Sequence, residues 1–185
     1  MNFVIFSLPR SRSFWLSKFL TYGHWTCGHD VCLNFENLED LRKYYSQERT
    51  GSCETGAMEY YKVFRQLVPE LKFVVVRREL DEVKKSLWKF GITLDDAESK
   101  LEALREISKL PNTLTIHFDK LDIPSSARAL WEFVLPVPFD NQWFNYFKSR
   151  NLQINMRERV NKISVNKEKT DKLKLEAIKL LETLQ

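Results

Sequence analysis

The chain has 185 residues, 43% hydrophobic and 13% aromatic. That composition excludes a disordered chain and supports a single domain, 1–185, with a substantial core. A net charge of +4 fits an anionic ligand; with no basic stripe before the C-terminal tail it gives no reason to expect nucleic acid, and no apolar run is long enough to expect a membrane.

Phe3 to Ser7 is a short apolar run, long enough for a buried strand and too short for a helix. It opens directly after Met1, which leaves no room for a signal peptide. Leu8-Pro9-Arg10-Ser11-Arg12-Ser13 breaks the run, and Phe14 to Leu20 resumes it at helical spacing. After the turn at Tyr22-Gly23, His24 to Gly28 reads as a second strand ending at His29-Asp30. Leu38 to Ser46 is helical, Glu48 to Ser52 is a polar break, and a helix is expected from about Met58 to Val68, where Pro69 ends it. Leu71 to Val76 is β-branched and apolar, the best candidate for a central parallel strand, and it ends in Arg77-Arg78. Glu79 to Phe90 returns to helical period with Leu80, Val83, Leu87 and Phe90 inward. A charged amphipathic helix over Leu94 to Leu110, a strand over Leu114 to Phe118 and a helix over Ser125 to Leu135 follow. From Pro136 the pattern is aromatic and irregular, then basic, until a last helix over Glu168 to Leu184. Strands alternating with helices predict a three-layer α/β/α fold around a mostly parallel sheet. Cys27, Cys32 and Cys53 lack a paired metal-ligand spacing and read as reduced thiols of a cytoplasmic protein.

In such a sheet a ligand lies beyond the carboxyl ends of the strands. The candidate residues there are Arg10 to Ser13, His29-Asp30, Arg77-Arg78 and Asp119. Strand, polar loop, helix is the order in which a βα unit turns backbone N–H groups toward an anion. Ser11 and Ser13 are placed to cap the helix or to donate to phosphate-like oxygens, and Arg10 and Arg12 add fixed charge suited to bidentate oxyanion contacts. Ser86 lies eight residues beyond Arg78, on the helix after the strand, where the two can grip one phosphate from two sides. Met58, Phe64, Trp88 and Trp131 are expected in the core.

The loop Pro9-Arg10-Ser11-Arg12-Ser13-Phe14-Trp15-Leu16 resembles the 5′-phosphosulfate loop of the sulfotransferases, commonly Pro-(Lys/Arg)-Ser-Gly-Thr-(Thr/Ser)-Trp-Leu. The proline, cation, outer hydroxyls, tryptophan and leucine match. Arg12 stands where the family has glycine, so a positive φ there would be strained, and Phe14 replaces a hydroxyl residue. Arg78, Val83 and Ser86 resemble the family's 3′-phosphate motif, with Arg77 and Arg78 exchangeable by a one-residue slip. Ile116 to Leu121 and Leu130 to Asp140 resemble later family segments, so the resemblance spans roughly Phe3 to Trp143 and is nearest to small bacterial and phage-type members.

The resemblance implies a P-loop NTPase-like topology and transfer of a sulfuryl group from 3′-phosphoadenosine 5′-phosphosulfate to a hydroxyl or amine of a small-molecule or glycan acceptor. By it Pro9 to Trp15, Arg78 and Ser86 bind that cofactor, Arg10 stabilises the leaving phosphate, and no metal is used. It also implies a base on an early loop, for which His29 or Asp30 is expected, with Glu54 in reserve. Two alternatives are a P-loop nucleotide kinase, against which the missing Gly-Lys-Ser/Thr ending counts, and a nucleotide-binding module without turnover.

Overall fold

The computed structural model describes residues 2–183. Five parallel strands form one sheet: β1 (Phe3–Ser7), β2 (Thr26–His29), β3 (Thr50–Glu54), β4 (Lys72–Arg77) and β5 (Thr113–His117), in the order β2-β3-β1-β4-β5. Every residue of β1 is buried, as a continuous apolar run in a parallel sheet demands. One face packs against α1 (Ser13–Phe19), α6 (Pro124–Val134) and α7 (Asn141–Lys148). The other packs against α2 (Leu38–Ser46), α3 (Tyr61–Leu67), α4 (Leu80–Trp88) and α5 (Ala97–Ser108). The fold is therefore α/β/α around a parallel sheet. α8 (Met156–Val165) and α9 (Lys167–Glu182) follow, with Met156 and Leu173 packed on the second core. The expected end of the last helix, Leu184, lies outside the described residues.

Three features depart from the sequence expectation. Thr50-Gly51-Ser52 belongs to β3, a fully buried strand between β1 and β2. Its small residues answer to bulky neighbours. A Cβ on Gly51 would lie 2.2 Å from the Phe3 ring, Tyr44 donates its hydroxyl proton to the Gly51 carbonyl at 2.9 Å, and the Tyr45 hydroxyl meets Ser52 Oγ at 2.5 Å. Second, the segment after Pro138 is helical. Asp140 caps α7 by accepting from the Gln142 and Trp143 N–H groups, and Trp15 Nε1 donates to the Phe147 carbonyl at 2.8 Å, fastening α7 to α1. Third, Trp88 is 76% exposed and Phe90 48% exposed. The α4 helix ends at Trp88, so Phe90 no longer follows its apolar stripe and instead lies under the Arg10 guanidinium, 5.0 Å from ring centroid to carbon. Met58, Phe64 and Trp131 are buried as expected.

Candidate functional site

The loop after β1 carries left-handed backbone at two arginines, Arg10 (φ 65) and Arg12 (φ 63). The position where glycine was missing does take a positive φ, at roughly 1–2 kcal/mol of local strain for a residue with a Cβ. Neither serine caps α1: the Ser13 hydroxyl turns to His29, and the buried Ser11 Oγ has no hydrogen-bond partner among the described residues. The Arg12 guanidinium pairs with Asp122 at 2.7 Å and stacks 4.2 Å over Trp15, at the edge of the cleft described below.

Arg10 has different partners. Its Nε donates to Ser86 Oγ at 3.1 Å and its Nη2 to Gln153 Oε1 at 2.6 Å, while Arg78 Nη1 donates to the Arg10 carbonyl. Arg78 also pairs with Glu82 at 3.3 Å and stacks 4.1 Å over Phe118; Arg77 is exposed. The register of the strand end thus turns Arg78, not Arg77, to the loop. Arg10, Arg78 and Ser86 meet because β1 and β4 are neighbours whose ends coincide, Ser7 opposite Val76. Burial first, then the charge of Arg78, lowers the Arg10 pKa. Two like charges held together in this way favour an anion between them.

β2 ends two strands from β1, across β3, and brings His29 to the same loop. Ser13 Oγ lies 2.9 Å from His29 Nε2, and His29 Nδ1 lies 3.3 Å from Asp30 Oδ2. Burial above all, then the charges of Arg159, Lys162 and Lys18, holds the His29 pKa at about 3. The ring is therefore neutral. Because the Asp30 carboxylate only accepts, the geometry assigns the proton to Nδ1 and leaves Nε2 to accept from Ser13. The edge of Phe14 packs on the ring at 5.5 Å. Asp30 is 3% exposed: Oδ1 accepts from the Thr55 N–H and hydroxyl, each at 2.9 Å, and Oδ2 has the Arg159 guanidinium as its ion-pair partner. Arg159 also donates to Thr55 Oγ1 at 2.6 Å. That network fixes Asp30 beside the His29 ring. Glu54, at the end of β3, bonds instead to the Val31 N–H at 3.0 Å; burial pushes its pKa up to about 7.

Pro9, Arg10, Ser13, His29 and Phe118 line one side of a cleft of about 390 Å³, and residues 148–154 with Arg159 close the other. Thr55, Gln153 and Arg159 were not anticipated. Arg159 sits in a basic, polar stretch where nothing in the sequence separates a buried arginine from solvated ones; only the packing of α8 singles it out. Among the described residues no cluster of side chains suited to a metal ion is present, and no helix is long and apolar enough to cross a membrane.

No protein family and no curated protein matches the sequence. Among solved structures, mouse sulfotransferase SULT7A1 complexed with PAP is similar over 84% of this chain and 68% of its own, with a TM-score of 0.57 and 12% identity. A gluconokinase from Sinorhizobium meliloti is similar over 80% of this chain and 97% of its own, with a TM-score of 0.51 and 12% identity. What the chain shares with both enzymes is the fold, a parallel α/β sheet flanked by helices.

Proposed function

We propose that the chain is a sulfotransferase, moving the sulfuryl group of 3′-phosphoadenosine 5′-phosphosulfate to an acceptor hydroxyl or amine. The observation that carries this reading is the meeting of two motifs 68 residues apart, with Arg10 bonded to both Ser86 and Arg78. The residues present fit such a donor: two adjacent guanidiniums favour an anion, and the buried Ser11 hydroxyl has a hydrogen bond to give. Arg78 and Ser86 hold the 3′-phosphate; Arg10 and Ser13 hold the phosphosulfate. Trp15, buried and bonded to Phe147, shapes the loop, and Pro9 and Phe14 line the cleft. Arg12, paired with Asp122, sets the loop's turn.

When bound, the donor supplies a neutral SO₃ unit attached through a bridging oxygen to phosphate. Arg10 would neutralise negative charge at that bridging oxygen. His29 Nε2 would take the acceptor's proton once Ser13 turned its hydroxyl to a bound anion. An anion in the loop raises the His29 pKa, which strengthens it as a base. Asp30 holds the Nδ1–H tautomer throughout. The test is thermal: adenosine 3′,5′-bisphosphate should raise the melting temperature without metal, and more than ATP with Mg²⁺ does. A shift as large with ATP, dependent on Mg²⁺, would overturn the reading in favour of a kinase.

A further inference from the structure

A second cavity of about 300 Å³ lies behind the first, and Pro9, Thr55 and Arg159 belong to both. Its walls are apolar: Leu33 and Leu41 on one side, Val63 and Phe64 on another, Leu173 and Ala177 of α9 above. The charged groups in its lining are mostly matched. Asp30 is paired with Arg159, and Lys100 with Asp96 and, at 3.8 Å, with Glu59. Lys174 stands exposed at the solvent rim. Glu54 is the exception. It is 1% exposed; its carboxylate accepts from the Val31 N–H at 3.0 Å, the Cys32 N–H and the Ser52 and Cys32 side chains, but among the described residues no lysine or arginine pairs with it, and burial outweighs those bonds.

A carboxyl buried in apolar surroundings resists ionisation unless a cation comes to it. An alcohol entering the cavity leaves that carboxyl as it was. A ligand with an ammonium group brings the missing charge, and the walls take up an apolar body. We propose that this cavity binds a small apolar amine, its ammonium against the Glu54 carboxylate and its apolar part against Leu41, Val63, Phe64 and Leu173. The site stands on its own geometry and does not depend on sulfuryl transfer in the cleft. The pKa of about 7 agrees with it: the empty site holds a proton that the ammonium displaces to solvent. The other titratable groups that feel the Glu54 charge, Cys32, Tyr44, Tyr45 and Cys53, are all driven further toward their neutral forms by burial, so Glu54 alone among them changes state near neutrality.

The experiment is calorimetric titration of the full chain at pH 6 with 2-phenylethylamine and with 2-phenylethanol, in two buffers of different ionisation enthalpy. The amine should bind about tenfold tighter or more and release close to one proton, and the alcohol should release none. Glu54→Gln, of the same shape, should bring the amine down to the level of the alcohol, and Leu173→Trp should weaken both by filling the cavity. Adenosine 3′,5′-bisphosphate should bind both variants as it binds the unaltered chain, which keeps a failure here distinct from a failure in the cleft. Equal affinity for amine and alcohol, or amine binding without proton release, overturns the proposal. Both are read on the unaltered chain and do not rely on the folding of the Glu54 variant.

Discussion

Replacing Arg159 by Met removes the cation paired with a buried carboxylate. Asp30 keeps its two bonds from Thr55 but loses the partner of Oδ2, in a site where it is 3% exposed. Stranding a buried charge in this way costs about 3–5 kcal/mol, which for a chain of this size lowers the melting temperature by roughly 10 °C. The loss should depend on pH through His29. In the unaltered chain its folded pKa, about 3, lies below the ordinary 6.5. The stability that this contributes is complete above pH 6.5 and lost as pH falls toward 3, an upper figure of about 5 kcal/mol across that window. Without Arg159, the second cause of that depression is gone, and Asp30 at 3.3 Å draws a proton onto the ring. The folded pKa then rises, so the variant gains in acid what the unaltered chain loses there. Melting measured by circular dichroism at pH 8 and pH 5.5 should show a large deficit at the first and a much smaller one at the second. Asp30→Asn added to the variant should restore more than half of the pH 8 deficit, since both charges are then removed. An equal deficit at both pH values, or one below about 1 kcal/mol at pH 8, would refute the buried pair as drawn.

Arg78→Ala should abolish the preference for a 3′-phosphate, worth about 2 kcal/mol for a charge-assisted contact, when adenosine bisphosphate and adenosine 5′-phosphate are compared by calorimetry; unchanged discrimination would remove Arg78 from the site. Arg10→Ala should lower kcat more than it weakens donor binding, because its charge acts on the oxygen that becomes anionic. Gly51→Ala places a methyl 2.2–2.5 Å from three atoms of the Phe3 ring, and urea unfolding should report a loss of about 2 kcal/mol or more; a neutral result would separate β3 from Phe3. Glu54→Gln tests the opposite pH sign to His29. A carboxyl raised from 4.5 to about 7 in the fold contributes stability below pH 4.5 that is lost as pH rises through 7. The variant should therefore gain on the unaltered chain between pH 5 and pH 8, by about 3 kcal/mol at most.

The sequence alone determined the elements whose signal is local. Phe3–Ser7 and the run Leu71 to Val76 announce themselves as buried strands because both faces of a parallel sheet are covered and their central positions must be apolar. The loop residues Pro9 to Trp15 and the Arg78–Ser86 spacing are likewise legible, since a βα turn and one helix set where they lie. Tertiary structure decided the rest. Thr50–Glu54 carries no strand signal, because its composition answers to Phe3, Tyr44 and Tyr45, which pack on it from elsewhere. Whether Arg77 or Arg78 faces the loop depended on the register of β4 against β1. The roles of Asp30 and Arg159 depended on a contact across 129 positions that no local pattern encodes. A charged residue looks alike in sequence whether solvated or buried, and the partner that allows its burial is chosen by the fold.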